Sequence, residues 1–178
     1  MKKFVSLILS CILLLSLCAC SVEPSLVGTV PADNKAPVET PTTVSDKVFT
    51  LGDSVELNDV VVSFVDLIES NGSKYFKPAD GNVFVACEFE IVNNSKEDLS
   101  VSSMLSFEAY CDDYTCEYSI SALSANDDKK QLDGTVAAGK KMKGIVAYEV
   151  PSDWKELEVH YTVDILDNSE IVFVATNK

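Results

Sequence analysis

Beyond the first twenty residues of this 178-residue chain, the side chains best equipped for chemistry are three cysteines, Cys87, Cys111 and Cys116, and a single histidine, His160. Four residues separate Cys111 from Cys116, so a hairpin over Asp112 to Thr115 would set them opposite each other at a spacing a disulfide can bridge. A bridge using Cys87, or three reduced thiols packed as small apolar side chains, are the other arrangements the pattern allows. Redox catalysis has little to rest on, because no CxxC accompanies a βαβ pattern. Zinc binding and Ser-His-Asp or Cys-His catalysis would all have to use His160, whose neighbours Val159 and Tyr161 have the parity of core residues. Its ring should therefore point outward. No nucleophile-elbow motif is present.

The oxygen donors read differently. Carboxylates are abundant enough for two to flank a sugar bond, but abundance does not place them. Calcium prefers such hard oxygens, and Asp112 with Asp113 in one turn and Asn126, Asp127 and Asp128 in another offer a weak site without EF-hand spacing. Solvated turns explain the same residues. The stretch GKKMKG, residues 139–144, lacks the glycine spacing and the Ser or Thr of a phosphate loop. Its lysines fit better as protection of an edge strand. Trp154, Tyr75 and Phe76 are either exposed anchors for a partner or carbohydrate, or packing at the end of a sandwich. Tyr75 and Phe76 sit in SKYFKPADGN, a loop-like stretch where binding residues collect.

The N-terminus is more explicit. Lys2 and Lys3 precede FVSLILSCILLLSLCA, and small residues then give way to Ser21 and Glu23. That is the charged, apolar, small-residue order of an export signal. A transmembrane helix would need about 20 predominantly apolar residues, and serines interrupt this shorter run. The tetrad Leu17-Cys18-Ala19-Cys20 resembles the bacterial lipobox, with Cys18 where Ser or Ala is more usual. The resemblance implies that residues 1–19 are removed and that Cys20 carries acyl chains such as palmitate. Several chains make such an anchor durable, at roughly 0.8 kcal/mol per buried CH₂. A secreted protein or a signal anchor is the alternative. Oxidation of the later cysteines is permitted in that compartment.

Removal of residues 1–19 takes two lysines and no acidic residue, leaving 12 lysines against 28 acidic residues and a formal charge of -16. There is no arginine. Such a chain is repelled by nucleic acid and by anionic headgroups, so nucleic-acid binding is excluded and solubility accounts for the charge. Residues 20–46 hold four of the six prolines and no apolar period, which describes a disordered tether. Residues 47–178 have the size of one domain.

That domain alternates with period two. In VFVACEFEIV, Val83, Val85, Cys87, Phe89 and Ile91 share one face and Glu88 and Glu90 the other. Further strands are expected from Val55 to Ile68 and over 105–111, 114–120, 135–137, 142–150, 157–165 and 170–176, with a one-turn helix allowed near Ser121 to Asn126. Short strands with regular turns predict an all-β antiparallel sandwich of 7 to 9 strands.

The order DGNVFVACEFEIVNNS, DDYTCEY, AAGKKMKGIVAYEVP and LEVHYTV resembles a family of Gram-positive surface lipoproteins, the immunoglobulin-like domain-of-unknown-function family 4352, similar to a small secreted mycobacterial antigen. Gly144, Val150 and Pro151 match its pattern, while Ala138-Gly139 stands where Pro-Gly is usual. The likeness implies an immunoglobulin-like β-sandwich at the outer face of the membrane, with no catalytic residues to transfer. The expected function is a non-enzymatic, lipid-anchored adaptor presenting loops or a sheet face to an envelope or extracellular protein, without a cofactor beyond the lipid on Cys20. A small-ligand or calcium-binding lipoprotein is the first alternative and a surface hydrolase the second.

Overall fold

The computed structural model describes residues 25–29, 47–164 and 169–177. The signal segment 1–19, Cys20 and the rest of the tether lie outside the described residues. Two five-stranded sheets face each other. The first runs, in spatial order, β1 (Ser25–Thr29), β3 (Asp53–Leu57), β4 (Val60–Ser70), β5 (Asn82–Asn93) and β10 (Lys141–Pro151). The second runs β2 (Val48–Thr50), β12 (Ser169–Thr176), β11 (Glu156–Asp164), β7 (Phe107–Cys111) and β8 (Tyr114–Thr115). A small ladder joins β6 (Leu99–Val101) to β9 (Gly134–Val136), and one helix, α1 (Ile120–Ala125), lies between β8 and β9. Among the described residues all strand pairings are antiparallel except β2 with β12.

The sequence alternation builds the interior. Phe64, Phe89, Phe107, Phe173 and Tyr161 converge from both sheets, with ring centroids 4.8 to 5.9 Å apart, within the range of favourable aromatic contacts. Val85, Cys87 and Ile91 on β5 join them, fully buried. The other face of β5 is covered as well, because Phe84 and Ala86 pack with Ala122 of α1 and with Ile145 and Ala147 of β10. Ser119 caps this helix by accepting a hydrogen bond from the Ala122 N–H at 3.1 Å. Glu88 is buried on that same outer face, between Lys129 and Lys143, each 3.0 Å away. Gly144 has a packing reason: residues 130–132 run directly against it, and a Cβ would meet the Lys130 carbonyl oxygen at 2.8 Å.

The expected sandwich is present, with several local corrections. Val55 to Ile68 is two strands, because Asn58 and Asp59 both adopt positive φ, 54° and 61°, and close a two-residue hairpin turn between β3 and β4. Leu105 lies outside β7 and is 77% exposed, since a turn from Ser102 to Ser106 breaks the alternation there. The expected strand from Tyr114 to Ile120 is only the short β8 before the chain changes sheet. The tether is also shorter than its composition implies. Five of its residues form β1, which takes up the open side of β3, pairing Ser25 with Glu56 and Thr29 with Asp53.

Candidate functional site

The second hairpin determines the surface of the domain. Asp112 and Asp113 have φ of 48° and 69°, so the connection after β7 is a two-residue turn rather than a four-residue loop. Asp112 suits the position twice over. Aspartate tolerates the left-handed region, and its Oδ1 accepts hydrogen bonds from the Lys155 and Glu156 N–H groups at 3.1 and 2.9 Å. The register then pairs Cys111 with Tyr114 and Tyr110 with Thr115, while the Cys116 N–H donates to the Ala109 carbonyl at 2.8 Å. Cys111 and Cys116 are therefore offset by two positions instead of facing each other. Among the described residues Cys87, Cys111 and Cys116 form no disulfide.

From Cys116 the chain crosses the gap between the sheets. Tyr118 forms a bridge to Tyr148, and the Ser119 N–H donates to the Ala147 carbonyl at 2.7 Å. The crossing ties the β8 edge of one sheet to the β10 edge of the other and divides the seam between them. One side holds a depression of about 360 Å³, with Cys111, Cys116, Val150 and Pro151 on its apolar wall and Glu117 and Asp153 among its charged residues. The other side holds one of about 460 Å³, lined by Met104, Phe107, Ala109, Tyr118 and Tyr148. Large apolar side chains stand exposed beside both: Tyr114 at 79% and Met104 at 63%. Tyr148 is buried, and its hydroxyl has no hydrogen-bond partner among the described residues.

The thiols at this seam are held in the neutral form. Burial pushes Cys116 up to about 12, with the neighbouring Cys111 adding to the effect. Cys111 is raised by burial and then by Asp112 and Asp153, and Cys87 is raised further still by burial and by Cys116. Neutral buried thiols are poor nucleophiles. His160 lies on the outer face of the second sheet, where Nδ1 is 2.7 Å from Glu170 and Nε2 is 3.4 Å from Glu158. The ring points outward, as its parity implied, and both ring nitrogens are engaged with carboxylates.

The remaining sequence candidates separate. Trp154 is buried, 2% exposed, and its indole N–H donates to Glu69 at 2.9 Å, so it packs the sandwich and offers no surface to a partner. Tyr75 is 79% exposed and Phe76 38%, on the loop from β4 to β5. That loop has its own order: the Ser73 N–H donates to the Phe76 carbonyl at 2.7 Å, and Gly72, at φ +81°, leaves room for this carbonyl where a Cβ would collide. Asp112 and Asp113 sit in the hairpin, whereas Asp127 and Asp128 sit on the loop after α1. Among the described residues no three His, Cys, Asp or Glu side chains are placed to hold a metal ion. Lys141 and Lys143 lie on an edge strand as expected and also reach across it, to Glu90 and Glu88.

The seam and the buried Glu88 escaped the sequence reading. A seam requires knowing where β8 stops. Glu88 alternates like any solvent-facing residue, and only the packing of α1 and the loop after it covers its face.

Comparison with known proteins agrees on the fold. The model of the family described as Domain of unknown function (DUF4352) matches residues 49–171. No curated protein matches the sequence. Among solved structures, a candidate lipoprotein (ycdA) from Bacillus subtilis aligns with a TM-score of 0.59 at 20% identity, covering 69% of this chain and 38% of that one. The yjhA protein of Bacillus subtilis aligns at 0.58 and 13% identity, covering 71% and 98%. A functionally unknown protein from Listeria monocytogenes aligns at 0.51 and 11%, covering 70% and 81%. At these identities the likeness shows a shared fold.

Proposed function

Since this chain belongs to the DUF4352 family, whose function is unknown, we propose a role from its own geometry: a lipid-anchored, non-enzymatic binding module on the outer face of a bacterial membrane. Its partner is an envelope or extracellular protein. Acyl chains on Cys20 supply the anchor, as the lipobox resemblance implies, and the similarity to a candidate lipoprotein is consistent with that setting. The observation that carries the binding role is the seam, where exposed Tyr114 and Met104 flank two depressions at a place where one sheet ends early. Aromatic and methionine side chains beside partly closed pockets are the usual anchors of protein recognition. The neutral thiols and the engaged His160 support a binding role over a nucleophilic one.

The test is photo-crosslinking in intact source cells from a reactive residue at position 114, compared with one at exposed Asp128. A product formed from 114 alone, and lost on Met104→Ser, supports the seam. Equal products from both positions would count against it. A small ligand is the second reading, favoured by the 460 Å³ depression itself, whose lining includes Met104, Phe107, Tyr118 and Tyr148.

A further inference from the structure

Strand β1 changes where the domain can stand. Ser25, its first residue, lies only five positions beyond Cys20 and pairs with Glu56, next to the turn at Asn58 and Asp59. Five residues span at most about 18 Å, whereas the 27 positions from Cys20 to Lys47 could span about 90 Å if nothing held them. Pairing of β1 with β3 therefore removes most of the tether's reach.

It also selects an end. β4 has 11 residues and runs from the Asn58–Asp59 turn, where Val60 pairs with Asn93, to Ser70, which pairs with Phe84 near the Tyr75 loop. The far end also carries Pro151, opposite Asn82, and the Ser152 N–H donates to the Gly81 carbonyl. The 360 Å³ depression includes Glu149, Val150 and Pro151, so the Cys111–Tyr114 half of the seam belongs to that far end. At roughly 3.3 Å per residue, β4 separates the two ends by about 35 Å.

We propose that β1 is a strut that holds the domain upright, with the Asn58–Asp59 end towards the bilayer and the hairpin end of the seam facing away. This rests on the lipid anchor at Cys20 and deepens the binding reading: the seam is offered to material outside the membrane. The strut lies outside the family match, which begins at residue 49.

The experiment uses the full lipidated protein in vesicles of phosphatidylcholine and phosphatidylglycerol carrying a headgroup acceptor dye. A donor dye is attached through an encoded azido residue at exposed Lys96, beside the near end, or at exposed Lys74, on the Tyr75 loop. Energy transfer from position 96 should exceed that from position 74 roughly twofold or more, given the ~35 Å between the ends. Replacing Ser25–Thr29 by a Gly-Ser sequence of equal length should bring the two values together. Equal transfer in the unaltered protein, or a difference that survives the replacement, overturns the strut. Fatty-acid labelling of the same preparations separates the two ideas: equal transfer with Cys20 acylated defeats the strut alone, and an unacylated Cys20 defeats the anchor and the strut with it.

Discussion

The hairpin that turns at Asn58–Asp59 returns through an 11-residue strand, whereas the one that turns at Asp112–Asp113 returns through a two-residue strand and then leaves its sheet. Both use two successive residues of positive φ, and Asn and Asp are the side chains that tolerate that conformation most readily after glycine. The return strands set them apart. β4 continues the alternation of Val60, Val62 and Phe64 and pairs with β5 along most of its length. β8 presents exposed Tyr114 and Thr115, and after Cys116 the chain crosses to the opposite sheet. A turn of the same kind thus builds core in one place and opens a seam in the other, because the length of the return strand decides whether the edge is sealed.

The largest test of that contrast is Phe64→Ala. This fully buried side chain touches Phe89 and Phe173, and its loss should cost about 3–5 kcal/mol in denaturant unfolding. A cost below about 1 kcal/mol would mean that β4 is not a wall of the core. Asp112→Ala comes next. It removes the acceptor for two N–H groups and places an alanine at positive φ, so a loss of about 2 kcal/mol is expected, while Asp112→Asn should recover part of it.

A smaller effect tests the crossing itself, because α1 and the loop after it bury Glu88. Burial alone would raise its pKa, but hydrogen bonds from Lys129 and Lys143 outweigh that and hold it below the ordinary carboxylate value. A depressed carboxylate stabilises the fold above its unfolded pKa and loses that contribution as pH falls through the folded value. Melting temperature should therefore fall as pH drops below the ordinary carboxylate value of 4.5, and Glu88→Gln should flatten that part of the profile. An unchanged slope would show that Glu88 is not ionised between its two lysines. Smallest of all, Tyr114→Ala should leave stability within about 0.5 kcal/mol of the parent, as expected for an exposed side chain. Its effect should appear in partner capture.

Much of this protein is legible from residue order alone. Alternation places Val83, Val85, Cys87, Phe89 and Ile91 on the inner face of β5, and Val159 and Tyr161 on the inner face of β11, because successive side chains of a strand point to opposite sides. The motif order from DGNVFVACEFEIVNNS to LEVHYTV points to the family that the match over residues 49–171 shows. Period two also leaves His160 outside, flanked by carboxylates.

Tertiary structure decided the rest. Alternation is silent about where a strand stops, so Val55 to Ile68 read as one segment and Tyr114 to Ile120 as another; backbone torsions at Asn58–Asp59 and the bridge from Tyr118 to Tyr148 correct them. The hairpin register was hidden for the same reason, since a turn of two residues instead of four moves every cross-strand partner. Burial of Trp154 and Glu88 depends on what packs over them, Glu69 at one and two lysines at the other, all contributed by distant parts of the chain. β1 was hidden by its proline-rich surroundings, because what draws five residues of a tether into a sheet is the open edge of β3, which exists only once the sheet has formed.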